Sequence, residues 1–303
     1  MRPPIIHIGV HKALSSWLQD QVFTPDGPVH CEDVKISEIL QFLVPPRTTN
    51  IAEPDWIINL RKKATLGQTT GISAERLSGY PMLGLLGRRE IAENIHSAFP
   101  DASILIVIRE QVSVIQSYYY QYLHDGGSLS LQDFLSPEGL FANNRTSTFD
   151  LRYFQYSFLA DIYRSLFGSE SVVIVPYELF RHDFPQWRTL MENRLQIELS
   201  TCDPAKKVNT SRAYAELACH KWLNRLLVRT SISDSGLIRS EIPRKLLNKT
   251  SAVVKRASPE NFESNIKSKH LDLIRERVGS FFEEDNQRLS DQTGLNLESL
   301  GYR

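Results

Sequence analysis

Short apolar runs of strand length alternate with helical patterns through the first two hundred residues. The clearest run, SILIVI at 103–108, is apolar after its first serine and is followed by a helical pattern over 111–124. A run that is apolar at almost every position predicts a strand buried on both faces. Further strands are predicted at 5–10 (IIHIGV), 67–73 (GQTTGIS) and 171–176 (SVVIVP), and further helices over 86–98 and 148–167.

This alternation predicts an α/β fold. Buried strands that are joined by helices form a parallel sheet with right-handed crossovers, and helices cover both of its faces. In such sheets, ligands bind at the carboxyl ends of the strands. We therefore expect the functional residues to follow the predicted strands directly.

The strand pattern stops after about residue 200, and the rest of the chain is predicted to be helical. A serine-rich, basic segment at 230–260 is expected to form a surface loop. We expect one domain over 1–303, with the core sheet over about 1–200 and a helical extension over about 201–303. Apolar residues at helical spacing predict two helices in this extension, over 212–229 and 269–285.

Residues 24–66 carry no clear pattern. Three prolines, Pro45, Pro46 and Pro54, are expected to break any long element there. An insertion of this kind is where an enzyme can choose its substrate, so 24–66 and 230–260 are the segments expected to set specificity.

Composition excludes several classes of protein. The chain has 303 residues, of which 41% are hydrophobic, so it can bury a large core. Its 35 basic residues equal its 35 acidic residues, and we therefore expect no nucleic-acid partner. The three cysteines, Cys31, Cys202 and Cys219, are widely spaced and read as reduced thiols. We see no signal peptide or transmembrane run, which predicts a cytoplasmic protein, while nothing in the sequence indicates an oligomeric state.

The loop after the first strand, HKALSSW at 11–17, has the composition of an anion site. Loops between a strand and a helix present unpaired N–H groups to anions. Lys12 adds a full charge, and Ser15 and Ser16 add two hydroxyl donors. The Walker signature does not fit, because its lysine directly precedes the hydroxyl residue. The strand at 103–108 ends in Arg109 and not in an acid that could hold magnesium, so we expect an anion bound without a metal.

This loop resembles the 5'-phosphosulfate-binding loop of sulfotransferases that use 3'-phosphoadenosine-5'-phosphosulfate (PAPS). That loop reads Lys-x-Gly-Thr-Thr, followed by Trp or Ser and then Leu. Leu14 stands where the family has its glycine, which is the one departure. The resemblance implies that the following residues bind the phosphosulfate of the cofactor: Lys12, Ala13, Leu14, Ser15, Ser16 and Trp17.

A second stretch, IVIREQVSVIQSYYYQYL, resembles another motif of the same family. There an arginine ends a core strand and a serine follows eight residues later, and both bind the 3'-phosphate; Arg109 and Ser117 have this spacing. Tyr177 in VPYELF resembles a tyrosine near the adenosine. KVNTS at 207–211 resembles a late cofactor-covering segment, and 286–302 resembles the C-terminus of many bacterial members. The resemblance thus covers nearly the whole chain in order.

The resemblance implies a P-loop NTPase-like three-layer α/β/α fold and a sulfuryl transfer from PAPS, with 3'-phosphoadenosine-5'-phosphate (PAP) as product. Lys12 would stabilise the charge on the leaving oxygen. The acceptor would be a hydroxyl, on a carbohydrate or glycolipid. Carbohydrate sulfotransferases commonly use a glutamate after the second strand as the base, which implies Glu75 in GISAERLSG. His11 and His124 are alternatives for the base.

Other interpretations stay open. A serine at a helix start can simply cap the helix, Arg109 can pair with Glu110, and Glu75 can be a surface residue. A nucleotide or phosphate kinase is a second enzyme candidate, and a catalytically silent scaffold is a third possibility, since Leu14 can close the loop to a phosphate. If position 14 has helical dihedrals, its N–H remains free to bind. Packing roles are preferred for His7 and for Tyr118, Tyr119, Tyr120 and Tyr122.

Overall fold

Four parallel strands form the centre of the computed structural model, which describes residues 2–44, 52–83, 85–136, 149–206, 214–227 and 260–303. Their order across the sheet is β4-β1-β5-β6, and every neighbouring pair is parallel. The strands are β1 (Ile5–His7), β4 (Gly71–Ser73), β5 (Ser103–Ile108) and β6 (Val172–Pro176). Two further strands, β2 (Phe23–Thr24) and β3 (Val29–His30), form a separate small sheet.

Helices flank the central sheet, which confirms the predicted three-layer α/β/α fold with a central parallel sheet. Between β1 and β5 lie α1 (Ser15–Gln21), α2 (Ile36–Leu43), α3 (Asp55–Thr65) and α4 (Arg88–Ala98). The helices that follow β5 are α5 (Gln111–His124), α6 (Leu131–Phe134), α7 (Tyr156–Phe167), α8 (Tyr177–His182) and α9 (Phe184–Leu195). The last three are α10 (Tyr214–Leu227), α11 (Glu260–Val278) and α12 (Glu283–Thr293).

The backbone pairing of β1 with β5 continues beyond the end of β1, up to the first loop. Its regular ladder ends at His7, short of the predicted end at residue 10. The next residues still follow β5, because the Ile8 and Val10 N–H groups donate to the Leu105 and Val107 carbonyls at 3.1 and 3.2 Å. The loop therefore begins at the carboxyl edge of β1 and β5, where the fold class predicts a ligand.

His7 is a core histidine, as predicted. Its ring is fully buried, and its Nδ1 lies 2.7 Å from the Ser73 hydroxyl. Burial lowers the pKa of His7 to about 4, which keeps the ring neutral, while the Glu75 charge opposes this shift. His7 thus links β1 to β4 without carrying a charge.

The two helices within residues 24–66 were not predicted. α2 ends at Leu43, before the proline pair, and α3 begins at Asp55, directly after Pro54. Pro54 occupies the N-cap of α3, where a proline fits because its missing N–H has no helical partner. The prolines therefore delimit the helices. Residues 45–51 lie outside the described residues.

Two predicted helix boundaries were wrong. The helix expected over 148–167 starts only at Tyr156, after a 3-10 turn at Leu151–Phe154. The helix expected over 269–285 is divided in two, because Gly279 adopts a φ of +50° after the end of α11, and α12 begins at Glu283. A left-handed glycine of this kind is a common helix terminator.

The described residues beyond β6 contain helices and no strand, as expected for a helical C-terminal half. None of the described helices combines the length and apolar character needed to cross a membrane. The division at about residue 200 stays a prediction, and most of the 230–260 loop lies outside the described residues. Tyr118, Tyr119 and Tyr122 are buried, which agrees with the packing role preferred for them.

Candidate functional site

The loop between β1 and α1 holds two non-glycine residues in the left-handed region. Lys12 has a φ of 67° and Leu14 a φ of 69°. The alternative in which position 14 has right-handed helical dihedrals is therefore excluded. The Leu14 carbonyl already accepts the first two bonds of the helix, from Trp17 N–H at 3.0 Å and Leu18 N–H at 3.1 Å, so the chain has to turn at Leu14 itself. Leu14 keeps a backbone conformation that favours glycine.

This conformation predicts an unusual order of stability among Leu14 variants. Both Leu14→Gly and Leu14→Ala remove the half-buried side chain, but only glycine is free of the left-handed strain. We expect the glycine variant to be more stable than the alanine variant by about 0.5–1 kcal/mol in urea unfolding. At Asn59, an exposed position inside α3, alanine should instead be more stable than glycine by about 1 kcal/mol. The same order at both positions would contradict the left-handed assignment.

Ser15 has a buried hydroxyl without a partner. The residue is 5% exposed, and no described group bonds to its Oγ. No side chain caps α1, so the reading of Ser15 as a simple helix cap is wrong. An unpartnered buried hydroxyl costs about 1–3 kcal/mol. A bound anion at the loop would supply the missing acceptor.

Arg109, the first residue after β5, holds the loop from the other side. Its Nη1 donates to the Lys12 carbonyl oxygen at 2.9 Å, and its Nε donates to Ser113 Oγ at 3.2 Å. Its guanidinium carbon lies 5.0 Å from the centroid of the Tyr177 ring. The alternative pairing with Glu110 is absent: that carboxylate caps α5 by accepting from the Val112 and Ser113 N–H groups, both at 2.8 Å.

The Lys12 side chain contacts α5. It is exposed and donates to Gln121 Oε1 at 3.0 Å. Half-buried Ser117 lies one helical turn before Gln121 and one turn after Ser113, so all three residues share one face of α5. Lys12 and Arg109 therefore both contact the face of α5 that carries Ser117, and Tyr177 lies beside Arg109.

Glu75 and His11 form a second group next to the loop. Glu75 opens a 3-10 turn directly after β4, and its Oε1 lies 3.5 Å from His11 Nδ1. The other ring nitrogen of His11 is 3.3 Å from the Gly79 carbonyl oxygen. Carbonyl and carboxylate oxygens only accept hydrogen bonds, so His11 is the donor to either of them. Tyr80, Tyr118 and Tyr153 surround the buried ring, with centroids 5.6, 6.0 and 6.3 Å away.

The surroundings of Glu75 favour its ionised form. Burial alone would raise the pKa of the carboxyl, but the hydrogen bond from His11 and the charges of His11 and Lys12 together hold it below its ordinary value. Glu75 is therefore a carboxylate at neutral pH. An ionised, half-exposed carboxylate can accept a proton from a ligand.

His124, the other alternative for the base, lies elsewhere on α5. It ends the helix, and its Nδ1 is 3.1 Å from Asp125 Oδ1. The same Asp125 oxygen accepts from Gln121 Nε2 at 2.8 Å, which connects His124 to Lys12 through two side chains. His124 is thus connected to Lys12 through Asp125 and Gln121, whereas His11 contacts Glu75 directly.

A cavity of about 480 Å³ joins the loop to Glu75. Ser15, Ser16 and Glu75 all line it, so the structure places the predicted base and the two loop serines around one space. The remaining lining residues come from α1, α2 and the 3-10 turn: Gln19, Ile36, Ser37, Leu40 and Arg76. Sequence reasoning missed these residues individually, although it assigned substrate choice to the segment that contains α2.

Trp17 faces away from this cavity. Its side chain is buried, its indole N–H donates to the Asp203 carbonyl at 2.9 Å, and its ring lies 4.9 Å from that of Phe180. The predicted cofactor-covering segment 207–211 lies outside the described residues. In the described part of the chain, no group of three or more histidine, cysteine, aspartate or glutamate side chains is arranged to hold a metal ion.

No family model and no curated protein matches this sequence. Among solved structures, the chain is similar to the sulfotransferase from Alicyclobacillus acidocaldarius. The two share 19% sequence identity over 99% of each chain, with a TM-score of 0.54. At this identity the likeness shows a common fold. The chain therefore shares its fold with that sulfotransferase.

Proposed function

We propose that this protein is a sulfotransferase that moves a sulfuryl group from PAPS to an acceptor hydroxyl on a carbohydrate or glycolipid. The observation that carries the proposal is the contact between the Arg109 guanidinium and the Lys12 carbonyl, 97 residues apart in sequence. A cofactor with two separate anionic groups requires two cationic sites at one edge of the sheet. The likeness in fold to a known sulfotransferase supports the same conclusion.

The residues present fit such a cofactor. Lys12, Ser15 and Ser16, with the loop backbone from Ala13 to Trp17, would hold the phosphosulfate, and the unpartnered Ser15 hydroxyl would gain its missing bond there. Arg109 and Ser117 would hold the 3'-phosphate, because a guanidinium and a hydroxyl both donate to phosphate oxygens. Tyr177 would lie against the adenosine. When bound, PAPS would supply the sulfuryl group and a phosphate leaving group.

The chain's own contribution is positioning, charge stabilisation and proton transfer. Sulfuryl transfer resembles phosphoryl transfer in depending mainly on the first two. The Lys12 ammonium group would leave Gln121 and stabilise the negative charge on the leaving oxygen. Glu75 would accept the proton of the acceptor hydroxyl, since its ionised carboxylate lines the same cavity as Ser15 and Ser16. No metal takes part in this scheme.

Isothermal titration of PAP tests the proposal. We expect micromolar binding to the wild type and a loss of about 10- to 150-fold in Arg109→Ala, which corresponds to about 1.5–3 kcal/mol for a hydrogen bond to a charged group. Arg89→Ala is the matched control, because Arg89 is an exposed arginine on α4 that pairs with Glu93. Its PAP affinity should equal that of the wild type.

ATP provides the second arm of this titration. It carries no 3'-phosphate, so it should bind more weakly than PAP and should lose little affinity in Arg109→Ala. If the wild type binds no PAP, the loop with Leu14 is closed to phosphate and the silent-scaffold interpretation holds. Tighter binding of ATP than of PAP would favour the kinase interpretation. We further propose a cytoplasmic location, and the balanced charge of the chain favours the absence of a nucleic-acid partner.

A further inference from the structure

Arg76 places an uncompensated positive charge in the cavity beside Glu75. The residue is exposed, and its guanidinium carbon lies 5.3 Å from the centroid of the Tyr80 ring. Among the described residues, no carboxylate lies within 4.0 Å of this guanidinium. Glu75 is the one acid in the cavity lining, and its Oε1 lies 3.5 Å from His11 Nδ1, on the side of the loop. Any anion that enters the cavity would therefore meet a cation that has no protein counter-ion.

The wall supplied by α2 has a different character. Ile36, at the start of α2, is 48% exposed, and Leu40 lies one helical turn further along the same face. Both side chains line the cavity, with Ser37 beside them. An isoleucine half exposed to solvent gains stability when an apolar surface covers it. The cavity thus offers an apolar wall, a cation and the proposed base.

We propose that Arg76 is a specificity-determining residue, which selects acceptors that already carry an anionic group. This inference rests on the proposed function for the identity of the reaction. The acceptor would be a hydroxyl compound with a carboxylate, or with a sulfate or phosphate ester, on the same molecule. Its anionic group would pair with Arg76, its apolar face would cover Ile36, and one hydroxyl would reach Glu75.

The chemistry of the cavity supports this assignment. A planar guanidinium binds a carboxylate or an ester oxyanion through two parallel hydrogen bonds, and the cation–π contact with Tyr80 restrains the Arg76 side chain. An acidic acceptor without such a partner would be repelled by the Glu75 carboxylate. In the proposed reaction Lys12 contacts the sulfuryl donor, so it does not bind the anionic group of the acceptor. A cavity of about 480 Å³ is of the size that accommodates a molecule of one or two sugar rings.

Equilibrium binding of two matched probes tests the inference. Methyl β-glucuronide and methyl β-glucoside have the same ring and differ in the carboxylate. Each is titrated, by NMR, into PAP-saturated wild type and into Arg76→Gln, Arg76→Lys and the control Arg89→Gln. We expect the affinity of the wild type and of the control for the glucuronide to be at least about tenfold higher than their affinity for the glucoside. The preference should vanish in Arg76→Gln and persist in Arg76→Lys.

Three results would overturn the inference. The wild type could bind both probes with equal affinity, Arg76→Gln could keep the preference for the glucuronide, or neither probe could bind at concentrations up to its solubility limit. Methyl glucoside 6-sulfate and 6-phosphate, as further arms, distinguish an ester anion from a carboxylate. Thermal unfolding of each variant confirms that it is folded. The PAP titration is read separately on the same proteins, so a failure of the sulfotransferase proposal is seen as lost PAP binding, whatever the probes show.

Discussion

Glu75→Gln is expected to lower kcat by about 10²- to 10⁴-fold and to leave PAP affinity within about twofold of the wild type. Glutamine keeps the size of the side chain, but an amide cannot take up the proton of the acceptor. The assay follows transfer of a labelled sulfuryl group from PAPS to an acceptor found by screening. Glu90→Gln is the matched control, because Glu90 is an exposed glutamate on α4, and it should leave the rate unchanged.

The pH dependence of kcat/KM separates Glu75 from the two histidines. The pKa of the Glu75 carboxyl is held below its ordinary value of 4.5, so the base is ionised throughout the neutral range. Activity that depends on Glu75 should therefore fall only below about pH 4.5. A limb of the profile that survives in Glu75→Gln and is lost when His11 or His124 is replaced by glutamine would instead assign the base to that histidine.

The same lowered pKa has a consequence for stability. Because the pKa is lower in the folded than in the unfolded protein, ionised Glu75 stabilises the fold above pH 4.5. This contribution is lost as the pH falls through the folded pKa. The acid side of the stability curve should therefore be flatter in Glu75→Gln than in the wild type.

Trp17→Ala is expected to lower the free energy of unfolding by about 3–5 kcal/mol. The Trp17 indole is buried against Phe180 and Trp187, at ring distances of 4.9 and 5.8 Å, and its N–H bonds to a backbone carbonyl. Its removal leaves a cavity and an unpaired acceptor. Urea unfolding measures the change, and Trp222→Ala is the control, since that tryptophan is 65% exposed. The control should change stability by at most about 0.5 kcal/mol.

This experiment also tests the role that the family resemblance implies for Trp17. If Trp17→Ala unfolds at nearly the wild-type urea concentration but loses tenfold or more in PAP affinity, the indole binds the cofactor directly and the packing explanation fails. Trp17→Phe keeps most of the ring contacts and removes the indole hydrogen bond. It should lie between the wild type and Trp17→Ala in stability.

The central strands could be predicted because their signal is local. SILIVI has no polar residue after Ser103, and the run ends where Arg109 and Glu110 begin, so β5 and the start of α5 agree with the prediction. The spacing of Arg109 and Ser117 on the following helix is also a local property. The resemblance to the family rests on such local patterns. The observed α/β/α fold confirms the fold that these patterns imply.

The remaining features depend on distant parts of the chain. The contact between His11 and Glu75 exists because β1 pairs in parallel with β4, with Ile5 opposite Gly71, and a register between strands cannot be read from either strand alone. Leu14 is a leucine that adopts the conformation of a glycine. A leucine does not by itself indicate such a conformation, and Leu14 adopts it at the turn into α1. The sequence did not predict α2 or its apolar wall, because the prolines of residues 24–66 were expected to break any long element there.

The hydrogen bond from Arg109 to the Lys12 carbonyl makes the two ends of the proposed cofactor site thermodynamically interdependent. A ligand group that orders Arg109 also restrains the backbone at Lys12, so the second group binds to a loop that has already lost part of its conformational entropy. Such coupling is reciprocal. The two anionic ends of a single molecule would then bind more tightly together than the same two fragments bound singly, and the loop could discriminate a whole cofactor from its halves.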